Sequence, residues 1–167
     1  MADSGTRRKL AWTELSEVVN DVENLRVSGY HSVGKWNLAQ CCGHIADWMT
    51  FPLDGFPRQP WIIRAFLSLL KWTMGKRQLR KILLTRSMPK GNPTMPETVY
   101  PSEIDASEEV ERLKRTVQRL QESQGPYHAS PLFGDMSRRD LLDLQIIHAA
   151  HHLSFLLPSK NGDGSNL

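Results

Sequence analysis

Apolar residues recur along this chain at helical rather than strand spacing. Over 10–27, LAWTELSEVVNDVENLRV, the residues Leu10, Leu15, Val18, Val22 and Leu25 share one face, which predicts a first amphipathic helix closed by Gly29. A second is predicted at 37–51, NLAQCCGHIADWMTF. Asn37 can cap it with Gln40 in the reciprocal position, Leu38, Cys41, Ile45, Trp48 and Met49 form its stripe, and Pro52 is expected to stop it. After the proline-bounded turn PLDGFPRQP, Pro60 suits the first turn of a third helix over 60–85, with Gly75 as a point of kinking. Residues 87–104 carry four prolines and read as an extended loop, long enough to serve as the wall or lid of a site. A fourth helix at 106–123, capped by Asp105 or Ser107, turns Val110, Leu113, Val117 and Leu120 inward.

The fifth helix is read from Ser137, its cap with Asp140 three residues on, to Pro158, which cannot continue it. At 100° per residue, Arg139, Asp140, Asp143 and Ser154 lie on one side. Leu141, Gln145, His148, His152 and Leu156 lie on the other, so two imidazoles four residues apart occupy the face that should be buried. Residues so spaced are neighbours, about 5–6 Å apart at Cβ. They can turn ring nitrogens onto one cation at roughly 2.0–2.1 Å, or they can be core histidines satisfied by hydrogen bonds. His151 points about 80° away and reads as a flank or supporting residue. No Glu follows His148, so the H-E-x-x-H protease arrangement is absent.

Five helices without a strand predict an all-α domain. Helices one, two, four and five make a four-helix bundle, with the third in a long crossover. Residues 9–158 are expected to form that single domain, with flexible tails at 1–8 and 159–167. Ligand sites in bundles are built from inward side chains on facing helices. Outside the last helix, the one mid-helix imidazole is His44, so His44, His148 and His152 form the candidate ligand set. Asp47, one turn from His44, is a candidate to orient that imidazole or to act as a base. Cys41 lies equally near but reads as a small buried hydrophobe. His31 and His128 read as loop residues.

Composition narrows the partners. With 40% hydrophobic and 23% charged residues over 167 positions and a net charge of +3, the chain reads as one ordinary globular domain. No nucleic-acid partner is expected from that charge, and no reading motif accompanies it. From Arg58 to Lys90 there are nine Lys or Arg and no Asp or Glu. This basic third helix either packs over the bundle with a solvated face, or lies on an anionic membrane surface. No transmembrane segment is expected, since no run of 18 uncharged apolar residues occurs. The first residues lack an apolar core of signal-peptide length, and the two cysteines are adjacent, Cys41 and Cys42. Both features lead to the expectation of a reduced, cytoplasmic protein.

The segments KWNLAQCCGHIADW, LDGFP, MPKGNP and SPLFGDMSRRDLLDLQIIHAAHHLSFLLP resemble the DinB-like superfamily of metal-dependent four-helix bundles. Within it they are similar to the subfamily catalogued as domain of unknown function 1569, over about residues 9–158. That resemblance implies the superfamily's ligand positions at His44, His148 and His152, holding a divalent metal ion. Three imidazoles accept zinc, nickel, iron or copper, and zinc or nickel is the first expectation. The resemblance also implies a thiol-dependent transferase or isomerase using a low-molecular-weight thiol at the open coordination position. The basic helix would then attract an anionic cosubstrate.

Two functional readings follow. The first is a metal-dependent enzyme, a thiol S-transferase or a hydrolase, acting on a small-molecule substrate. The second is a non-catalytic, metal-stabilised binding or stress-response module, associated with a membrane surface through the basic helix. A homodimer paired through helix faces is compatible with either.

Overall fold

The computed structural model describes residues 6–58, 61, 69, 71–89 and 94–159. Among these, five α-helices dominate, and the only strands are two of three residues each. The helices are α1 (Leu15–Ser28), α2 (Leu38–Asp54), α3 (Lys76–Thr85), α4 (Ala106–Glu122) and α5 (Arg138–Leu153).

Helices α1, α2, α4 and α5 start where a side chain takes up free backbone N–H groups, whereas α3 continues from the turn before it without a side-chain cap. Asn37 and Gln40 cap α2 reciprocally, at 2.9 and 3.0 Å. Asp105 accepts from the Glu108 N–H at 2.8 Å and Ser137 from the Asp140 N–H at 3.1 Å. The first helix begins five residues later than its apolar pattern suggests. Glu17 folds back to accept from the N–H groups of Thr13 and Glu14, so the helix starts at Leu15. Leu10 and Trp12 still pack on the core, but from an extended segment.

Two expected ends are corrected. Pro52 does not stop α2, which runs on to Asp54 and ends at Gly55, where φ is 105°. A proline inside a helix lacks the N–H that would bond the carbonyl four residues back, here that of Trp48. That carbonyl instead accepts from the Gln145 side chain of α5 at 3.1 Å. Pro158, in turn, is not where α5 closes. The helix ends at Leu153, and the chain extends into β2 (Leu156–Pro158), antiparallel to β1 (Tyr30–Ser32). The freed carbonyls at this end are taken by Arg8: its backbone N–H bonds Ser154 and its guanidinium Leu153, both at 2.9 Å. Arg8 also forms an ion pair with Asp21, so this last residue of the tail expected at 1–8 is tied to α1 and α5, while 1–5 lie outside the described residues. At the other end the Ser159 N–H bonds the Gly29 carbonyl.

The core draws on α1, α2, α4 and α5. Val18, Val22 and Leu25 meet Ile45 and Met49, Leu113, Val117 and Leu120, and Leu141 and Leu153. A second cluster forms where Leu79 and Ile82 of α3 pack against Phe133, Leu144 and Ile147. Most of the basic third helix expected over 60–85 can be placed only in part, since 62–68 lie outside the described residues. Its later half is α3, entered through a π-helical turn at Lys71–Gly75. Lys76, Arg77, Arg80 and Lys81 face solvent, and Leu84 stands out exposed among them. No helix among the described residues is long and apolar enough to cross a membrane.

Candidate metal centre

His44 enters from the middle of α2, and His148 and His152 from the last turns of α5. The helix–helix contact of α2 with α5 brings them together. The His148 Nε2 lies 3.2 Å from the His44 Nε2 and 3.1 Å from the His152 Nε2. One ligand atom from each falls within 4.8 Å of the other two, and this is the only such cluster of potential ligands among the described residues. Two tetrahedral ligands at zinc–nitrogen distances are separated by roughly 3.3–3.4 Å, so the spacing suits a single small cation.

The supporting contacts set the tautomer of His44. Its Nδ1 lies 3.2 Å from the Thr98 carbonyl and 3.0 Å from the Thr98 hydroxyl. A carbonyl only accepts, so Nδ1 carries the proton and Nε2 presents its lone pair to the cluster. The Thr98 hydroxyl in turn donates to the Met95 carbonyl at 2.9 Å. Thr98 belongs to a single 3₁₀ turn, Pro96–Thr98, inside the proline-rich loop. Residues 90–93 of that loop lie outside the described residues.

All three imidazoles are held neutral, the form a metal requires. Burial pushes His44 down to about 4 and His152 down to about 2. The His148 ring sits well below the ordinary range, through burial first and then its two imidazole neighbours. Trp36 stacks on His152 with ring centres 5.1 Å apart and 12° between planes. Trp48 lies against His44 and His148, at 6.2 and 5.2 Å, and continues into Phe51 and Phe56. The cluster is therefore walled by aromatic rings, which exclude water and lower the local dielectric.

Asp47 is placed elsewhere. Its carboxylate pairs with Arg112 and accepts from the Tyr100 hydroxyl at 2.7 Å, while Arg112 also bonds Glu109 and Tyr100. The role of orienting His44 falls to Thr98. Cys41 is buried and points its sulfur toward the His152 carbonyl at 3.9 Å, outside the ligand cluster. His151 stands edge-on to His152 at 5.1 Å and accepts from Arg7 at 3.4 Å. His31 and His128 are exposed and distant in role. Sequence patterning missed Thr98 and Trp36, because neither lies on a periodic stripe. A groove of about 790 Å³ lined by Glu14, Arg86, Arg138 and Asp143 lies away from the histidines.

Comparison with known proteins adds one match. The family model described as "Protein of unknown function (DUF1569)" matches residues 4–159. No curated protein and no solved structure matches the chain.

Proposed function

Since the chain belongs to the family described as "Protein of unknown function (DUF1569)", whose description leaves its activity open, we propose from the site itself that it is a divalent-metal-dependent enzyme of the DinB-like four-helix-bundle type. His44, His148 and His152 hold the ion. The observation that carries this reading is the convergence of three neutral imidazoles, two Nε2–Nε2 spacings being 3.1 and 3.2 Å. Like groups so close, stripped of water, are costly unless something satisfies their lone pairs.

A divalent cation held there by His44, His148 and His152 would supply Lewis acidity. The chain's own residues do the rest. Thr98 keeps the His44 lone pair inward, while Trp36 and Trp48 shut out bulk water. A thiol S-transfer using a low-molecular-weight thiol, or a hydrolysis, would fit that chemistry. Imidazole suits zinc, nickel, iron and copper, and zinc or nickel is the ion expected here. Asp47 is scaffold rather than a reacting group, since Arg112 and Tyr100 engage its carboxylate. The two unbridged, buried cysteines agree with a reducing compartment such as the cytoplasm.

One observation favours a second reading, a metal-stabilised module without catalysis. His44 and His148 are 2% and 8% exposed, and the groove noted above does not reach them. Metal analysis of untagged protein, beside a His148→Ala/His152→Ala variant, tests the site. One equivalent of divalent ion in the parent and none in the folded variant is expected. A parent that folds but cannot be loaded overturns it. In the cobalt-loaded protein, a shift of the visible spectrum on adding 2-mercaptoethanol is expected for the enzyme reading. An unchanged spectrum selects the module.

A further inference from the structure

Three buried polar atoms without a partner surround the histidine cluster: the Trp48 Nε1, the Gln145 Oε1 and the His148 Nδ1. Buried groups of this kind are rare and call for an explanation. Gln145 and His148 are 4% and 8% exposed and lie one turn apart on the inner face of α5. The Gln145 amide is already anchored, since its Nε2 donates to the Trp48 carbonyl at 3.1 Å. That carbonyl is available only because Pro52 lacks an N–H. That bond fixes which end of the amide is nitrogen and leaves Oε1 as its end without a partner.

Resting on the three-histidine metal reading, we propose that Gln145 is the positioning residue of His148, accepting the Nδ1–H through Oε1 once Nε2 coordinates the ion. Coordination at Nε2 places the ring proton on Nδ1, where it needs an acceptor. Gln145 Oε1 is the one buried acceptor without a partner among the described residues. Gln145 and His148 are three residues apart on α5, the spacing at which helical side chains are neighbours. His44 and His148 then share one construction: Thr98 fixes the first ring from the loop and Gln145 the second from the helix. The anchor on Trp48 makes α2 the indirect support for both.

The test uses zinc affinity, measured by competition with a chromogenic chelator, for the parent, Gln145→Leu and Gln145→Glu. Leucine has no acceptor, and zinc affinity should fall by about 10- to 100-fold, the usual effect of losing such a support. Glutamate keeps an acceptor for Nδ1–H but cannot donate to the Trp48 carbonyl, so it should bind zinc at least as tightly as the parent. If Gln145 serves only to brace Trp48, glutamate fails as leucine does, and the inference is overturned. Parent-like zinc affinity in Gln145→Leu overturns it too, and leaves the metal site standing. A parent that takes no zinc removes the metal reading itself. Should Gln145→Leu fold poorly, Gln145→Met supplies the acceptor-free variant, and metal-free melting of each separates folding from binding.

Discussion

A helical wheel gives the direction of a side chain, and for His148 and His152 direction was enough. Their spacing of four put both on the face that faces α2, and His44 was the one mid-helix imidazole available to meet them. What stands behind each ring is another matter. Thr98 is 54 residues from His44 in the chain and sits in a loop without periodicity. Asp47, the carboxylate nearest in sequence, turns instead to Arg112 on α4. Asp47→Asn should lose about 2 kcal/mol of stability, the range for a hydrogen-bonded, partly buried charge. Its zinc content should equal the parent's. Loss of zinc from a folded Asp47→Asn protein would return Asp47 to the metal site.

At the scale of elements, starts were more legible than ends. Caps are local, because the capping side chain lies within three residues of the N–H it satisfies. Asn37, Asp105 and Ser137 each do this as their sequences suggest. Ends depend on partners far away. Helix α2 passes through Pro52 because Gln145 takes the orphaned carbonyl, and α5 stops at Leu153 because Arg8 and β1 capture the chain beyond it. Packing between elements is similarly hidden. A Cβ added at Gly43 would lie 2.9 Å from the Tyr100 ring and from the Glu109 carboxylate, where α2 meets α4 and the loop before it. Alanine gains about 1 kcal/mol over glycine within a helix. Overpacking costs about 1–3 kcal/mol, and Tyr100 and Glu109 are held by Asp47 and Arg112. Gly43→Ala should therefore lower the urea midpoint, and a raised midpoint would show that this contact yields freely.

Taken whole, the molecule buries both thiols at the centre of its main core. Burial pushes Cys41 up from 9.0 to about 12, and Cys42 well above 9.0. The unfolded chain therefore loses these protons first as pH rises. Their contribution to stability is intact below pH 9 and is lost as pH climbs from there toward the folded values. By pH 10 the loss for Cys41 should be about 1.4 kcal/mol, with a further loss from Cys42. Urea unfolding at pH 8 and pH 10 checks this, since the Cys41→Ala/Cys42→Ala protein should show a smaller drop than the parent. Equal drops would mean that the thiols titrate alike in both states.

The all-α class, the caps, the inward stripes and the three histidines were determined by the sequence alone, since each rests on spacing within a helix. The two short strands, the course of α2 past Pro52, the anchoring of Arg8 and the groups supporting the histidines were decided by the tertiary structure. Each of these joins residues far apart in the chain, where an unpaired backbone or ring atom takes whichever donor or acceptor folding brings within reach. Periodicity carries no record of that choice.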